Sequence, residues 1–260
     1  MEFDRIYAEV DLGRIEENME AMKEHLRPGT KMYGVVKTDA YGHGAVPVAR
    51  TIDRFVCGYA VATVDEGLKL RRHGIEKEIL CLGPVSAGRY QECLENDISL
   101  PMFEYRRAKE LSDAAMAEGK TAKIHIAVDT GMSRIGLFPD EGSVEIVKEI
   151  AKLPALRIAG MFTHFARADE TDKTNAGEQY RRFREFCDDV KAAGVAVPVC
   201  HCSNSAGIVE LPDFNMDAVR AGITIYGLYP SDEVKQDIIS LKPAMALKSF
   251  ITYIKEIGQI

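Results

Sequence analysis

Eight positions of this 260-residue chain have types and surroundings that could do chemistry. Lys37 follows the apolar run MYGVV, and an amine becomes a nucleophile towards carbonyls when it is neutral. Burial at a strand end favours that neutral form. Such an amine can form a Schiff base with a substrate or with pyridoxal phosphate, although a lysine there can equally end a strand and reach water. Asn204 and Ser205 lie in SNSAG, and Gly222 and Ile223 in RAGI. Free backbone N–H groups in such stretches hold phosphate. Ser and Asn are also good helix N-caps, and both roles can hold at once. Arg134 and Arg220 stay charged, so each can donate to a carboxylate or to a ring nitrogen but cannot act as a base. His164 closes an apolar run, where a hydrogen-bonded core histidine is the ordinary reading. Cys200, His201 and Cys202 are too few for a closed metal site, and no metal is expected.

These residues need a scaffold that brings distant segments together. Short apolar runs recur at 31–36, 58–62, 78–82, 98–102, 123–128, 157–162, 197–201 and 224–228. Helical patterns lie between them, for example at 64–73, 104–118, 140–152 and 174–193. Continuous apolar runs suit parallel strands covered on both faces. Eight of them in β/α alternation predict an α/β fold, the (β/α)8 TIM barrel, for which about 250 residues is typical. Active sites of that fold gather at the C-terminal ends of the strands. Lys37, TDAYGHG (38–44), DTGMSRIG (129–136), THF (163–165) and HCSNS (201–205) all fall at such ends. Two segments lie outside the barrel. Residues 12–26 form a polar amphipathic helix, and Met245–Ile254 reads as a strand without an evident partner.

Composition bounds the function. The chain has 33 basic and 40 acidic side chains and a formal charge of −7. That balance argues against a nucleic-acid or anionic-membrane surface. No run approaches the roughly 20 apolar residues of a membrane span, and MEFDRIYAEVDL lacks the blocks of a signal peptide. Six cysteines without a CxxC pair suit a reduced, cytoplasmic protein.

The motifs together resemble the alanine racemases. KTDAYGHG (37–44), DTGMSRIG (129–136), THF (163–165), SNSAG (203–207) and RAGITIYGLYP (220–230) carry the resemblance. IYAEVDLGRIEENM upstream and VATVDEGLKLRRHGI followed by EILCLGP extend it over essentially the whole chain. The resemblance implies pyridoxal 5'-phosphate as cofactor and an amino-acid substrate, alanine or possibly serine. Lys37 would carry the cofactor as a Schiff base and exchange the Cα proton on one face. Tyr41, Asn204, Ser205, Gly222 and Ile223 would surround its phosphate. Arg220 would donate to the ring nitrogen, with His164 beside the ring orienting it. Arg134 would bind the substrate carboxylate. The implied product, D-alanine, serves peptidoglycan synthesis, and the complete protein would be a homodimer.

Two departures stand out. Many members place a carbamylated lysine two positions before the DTGM aspartate, where this chain has Ala127; a bound anion such as chloride could supply the missing charge. The family's second base is a tyrosine of a C-terminal β-domain from the other subunit, which has no counterpart here. Residues 1–240 are therefore expected to form the cofactor-binding barrel, and 241–260 to begin a truncated second β-domain. This chain alone would then have low activity. The competing readings are a serine-preferring racemase, a barrel-only pyridoxal phosphate carrier and a Schiff-base aldolase.

Overall fold

The computed structural model describes residues 5–258. Residues 1–4 and the last two of the chain, which the expected domain spans 1–240 and 241–260 include, lie outside it. Eight parallel strands close into a barrel in sequence order. They are β2 (Lys31–Val35), β3 (Gly58–Val61), β4 (Glu78–Cys81), β5 (Ile98–Met102), β6 (Ala122–Ala127), β7 (Leu156–Phe162), β8 (Cys200–His201) and β9 (Ala218–Ala221). The last returns to the first, with Tyr33 beside Arg220 and Gly34 beside Ala221. Most of these strands are buried along nearly their whole length, as parallel strands under helices must be.

The helices Val64–Arg72, Tyr105–Ala117, Glu141–Ala151 and Thr174–Ala192 occupy the amphipathic stretches expected of them. Each turns an apolar stripe to the barrel, such as Ala176, Phe183, Phe186 and Val190 of the last. Leu12–His25 packs Ile15, Met19 and Met22 inward. Its buried Asn18 donates to the carbonyls of Ile225 and Lys242, tying chain positions far apart in sequence. Among the described residues, no helix is long and apolar enough to cross a membrane.

Two expectations are corrected. The eighth barrel strand is Ala218–Ala221, whereas Ile223–Tyr226 within the run expected at 224–228 forms a 3-10 turn. Gly222 leaves the extended conformation, and Gly227 ends the turn with φ +82. A Cβ at Gly227 would lie 1.8 Å from the Lys242 carbonyl oxygen. The apolarity of Ile225 and Tyr226 reflects burial under the first helix, not a strand. The second correction concerns the strand expected to lack a partner. β10 (Met245–Ser249) pairs antiparallel with β1 (Ile6–Val10), Ile6 opposite Ser249 and Val10 opposite Met245. The opening segment carried no clear strand signal, because its pairing is supplied from the other end of the chain.

Candidate active site

Two adjoining cavities open at the C-terminal rim of the barrel and share Lys37, Leu82, Met132, His164 and Arg220 in their walls. Arg134 and Ala127 line the first. Tyr41, Asn204, Ser205, Gly222 and Ile223 line the second. The structure thus brings all nine expected positions into one place.

Lys37 follows β2 and is half-buried, with Nζ 5.8 Å from the centre of the Tyr41 ring. Its amine makes no hydrogen bond or ion pair to any described residue, so it is available to a ligand. The backbone after it is unusual: Thr38, Asp39, Ala40 and Tyr41 have φ between +52 and +56, a left-handed turn of four non-glycine residues. Left-handed helix costs roughly 1–2 kcal/mol per L-residue, so the surroundings must hold it. Glu66 Oε1 accepts from the Thr38 N–H at 2.7 Å. Asp39 Oδ1 accepts from the Ala45 N–H at 2.9 Å and from Lys69 Nζ at 2.7 Å. Those two bonds, the Ala45 one first, hold the Asp39 carboxyl below its usual range. The result turns Tyr41 back over the cavity, its ring 5.0 Å from that of Tyr226.

Tyr41 and Ser205 meet at Gly222. A Cβ there would lie 3.4 Å from both the Tyr41 hydroxyl and Ser205 Oγ. Ser205 Oγ already accepts from the Gly222 N–H at 3.0 Å and lies 3.0 Å from Thr224 Oγ1. Asn204 caps the helix Ser205–Glu210, its Oδ1 accepting from the Gly207 N–H. The N-cap reading of SNSAG therefore holds.

Arg220 is 3% exposed. Nη1 donates to His201 Nδ1 and to the His201 carbonyl, at 2.8 and 3.1 Å. Nη2 donates to the carbonyls of Thr163 and Cys202 and to His164 Nδ1, at 2.8, 3.0 and 3.1 Å. The remaining donor, Nε–H, has no partner among the described residues, and the side chain lines both cavities. Burial first, then the Arg134 charge, lowers the guanidinium pKa to about 10, which still leaves it cationic. His164 is pulled down to about 3 by burial and then by the charges of Arg220, Arg134 and Lys37. It is therefore neutral near pH 7, as its role as acceptor requires.

Arg134 is exposed on the loop after β6 and makes no ion pair with any described residue. Asp129 shapes that loop, accepting from the N–H groups of Gly131 and Ser133. Gly136 (φ +125) has no room for a Cβ, which would stand 2.5 Å from the Asp129 nitrogen. Ala127 is 1% exposed beside this arginine, so no side chain there braces it.

Sequence reasoning missed Gln179. From the helix Thr174–Ala192 it donates to Thr130 Oγ1 and the His164 carbonyl and accepts from the Ala166 N–H. One buried amide thus ties together the loops after β6 and β7. It also missed Glu66, although T-x-x-E at 63–66 is a visible capping box.

Fold and cavity together define a (β/α)8-barrel protein with a free amine at the rim of its first barrel strand and a buried guanidinium across the same cavity. The chain belongs to the alanine racemase family: the profile described as "Alanine racemase, N-terminal domain" matches residues 10–230. It is 40% identical to the alanine racemase of Clostridium tetani and 44% identical to that of Clostridium novyi. These matches cover 96% and 97% of this chain but 65% of each relative. The solved alanine racemase of Clostridium difficile 630 superposes with a TM-score of 0.96 at 39% identity, over 98% of this chain and 67% of that one. The chain therefore spans about two thirds of the length of the relatives it matches.

Proposed function

We propose that this chain is the cofactor-bearing barrel of an alanine racemase, an isomerase that interconverts L- and D-alanine with pyridoxal 5'-phosphate. In the complete enzyme, a cytoplasmic homodimer on this reading, the product would supply D-alanine to peptidoglycan. The observation that carries the proposal is the match between the cavity's polar groups and that cofactor. At one end, Tyr41, Ser205 and the glycine without a Cβ leave a small polar cradle that fits a phosphate. At the other, Arg220 offers one free donor, which fits an unprotonated pyridine nitrogen. Lys37 lines both cavities, with an amine not engaged elsewhere.

When bound, the cofactor supplies an electron sink that makes the Cα–H of an amino acid acidic. The chain's residues do the rest. Lys37 Nζ would hold the aldehyde carbon with loss of water and, once the substrate amine displaces it, would be free to take and return the proton at the substrate Cα from one face. Arg220, cationic, would donate through Nε to the ring nitrogen, which would leave that nitrogen without a proton and limit side reactions. His164 accepts from Nη2 and keeps the guanidinium in its plane. Arg134, free of competing carboxylates, receives the substrate carboxylate. Proton exchange on the second face requires a base that the reading assigns to a β-domain of the partner subunit, with 1–240 as the barrel and 241–260 leading into that domain.

The test uses this chain with pyridoxal phosphate and borohydride. The expected outcome is a reduced adduct on the peptide containing Lys37, lost in Lys37→Ala. In deuterated water, one alanine enantiomer should gain label at Cα while keeping its configuration. Racemisation should lag that exchange by about 10²–10⁴-fold, the usual cost of a missing acid–base group. A reduced adduct on any other lysine, or none, would overturn the assignment.

A further inference from the structure

The barrel interior holds a polar chain that the mechanism above does not use. Below Arg220, His201 Nε2 lies 3.1 Å from His125 Nδ1, and His125 Nε2 lies 3.3 Å from Glu78 Oε1. His125 and His201 have no solvent exposure, while Glu78, the first residue of β4, is part-exposed at the opposite mouth of the barrel. His201 stacks between Tyr33 and Phe162, with centroids at 5.3 and 5.4 Å. Glu78 also accepts from Ser99 Oγ at 2.7 Å and from the Tyr33 hydroxyl at 2.8 Å. Room for this chain is built into the backbone. A Cβ at Gly160 would stand 2.5 Å from His125 Nδ1, and the β6–β7 register shifts between Ile124 and His125.

The hydrogens can be placed by elimination. A guanidinium only donates, so His201 Nδ1 must accept and its hydrogen sits on Nε2. His125 Nδ1 must then accept, so its hydrogen sits on Nε2 and points at Glu78. A second hydrogen on His125 would face the His201 N–H and break the chain. Every bond thus points from the buried cation towards the carboxylate. Among the described residues, Arg220 has no carboxylate in direct contact, and an uncompensated buried charge is costly.

We propose that Glu78 is the counter-charge of Arg220, acting across the barrel through His125 and His201 as a positioning residue. It holds His201 as an acceptor, so that both Nη groups are occupied and Nε–H is left for the ligand. The inference rests on the reading of Arg220 as the donor to the ring nitrogen. Opposite charges separated by a barrel's depth, at an effective dielectric of about 20, shift an equilibrium roughly three- to tenfold.

The test needs no cofactor, so its failure and that of the cofactor reading are separable. Side-chain ¹⁵N spectra of the chain near neutral pH should show His125 and His201 each carrying one hydrogen, on Nε2. A doubly protonated His125, or a hydrogen on His201 Nδ1, would overturn the proposal. The Arg220 Nε–H resonance should move in Glu78→Gln and stay in place in Ser99→Ala, which removes a bond to the same carboxylate but not its charge. A resonance indifferent to Glu78→Gln would count against it. In denaturant titrations, the fold-change that Glu78→Gln causes in the unfolding equilibrium constant should persist in an Arg220→Lys background and be roughly three- to tenfold smaller in Arg220→Gln. Equal costs in the two backgrounds would show that Glu78 serves packing alone; should Arg220→Gln fail to fold, the two spectroscopic measurements still decide.

Discussion

Gly222 shows how much of a site can depend on an atom that is missing. What matters is the space between the Tyr41 hydroxyl and Ser205 Oγ. Gly222→Ala places a methyl group 3.4 Å from both oxygens. It should weaken pyridoxal phosphate binding about tenfold while leaving pyridoxal, which lacks the phosphate, unchanged. Equal losses for the two ligands would place the phosphate elsewhere. The lysine and this glycine were legible in the sequence because local motifs flag them. The environment of Arg220 was not: its acceptors come from the ends of β7 and β8, and no spacing rule predicts which carbonyls converge on it. Gln179 was hidden for a similar reason, as one polar residue in a long amphipathic helix with nothing local to single it out.

At the scale of elements, the left-handed turn after Lys37 is where local preference and tertiary demand disagree. Thr38 is β-branched and exposed, a poor choice for φ +52. Thr38→Asn, which tolerates that conformation, should stabilise the fold by about 0.5–1 kcal/mol in chemical denaturation. Glu66→Ala should do the reverse, by about 1–3 kcal/mol, since the N–H groups of Thr38 and Ala62 both lose their 2.7 Å acceptor. A neutral Glu66→Ala would mean that water replaces the carboxylate. Helices with caps and apolar stripes were placed within a residue or two. The last barrel strand was not, because Ile225 and Tyr226 are apolar for a different reason. They are covered by the helix Leu12–His25, and apolarity alone does not say which neighbour does the covering.

For the whole molecule, buried imidazoles set a pH dependence. His164 titrates near 3 in the folded chain and His201 is also pulled well below its usual value, chiefly by burial. The unfolded chain binds protons at both from about pH 6.5. Unfolding therefore takes up protons below that pH, and stability should fall as acid is added. The slope can reach about 1.4 kcal/mol per pH unit for each group. Glu78 adds its own loss at lower pH. Burial works to raise its carboxyl, but the hydrogen bonds from His125, Ser99 and Tyr33 outweigh that and hold it below its usual range. The thermal midpoint should thus drop between pH 6.5 and 5, with a shallower drop in His164→Asn; a flat wild-type profile would show that these imidazoles titrate normally. The count of eight strands was legible because each announces itself as an apolar run, and eight favours closure. Closure also has a consequence in time. Lys37 and Arg220 stand about 180 residues apart, yet β2 and β9 are direct neighbours. At 5–20 residues per second of synthesis, the amine leaves the ribosome about 10–40 s before the guanidinium that shares its cavity. Throughout that interval the first strand has an open edge, and the cavity gains its walls one loop at a time, with Arg220 among the last. The cavity is complete only when the last strand closes on the first, and the seam between β2 and β9 acts as the clock.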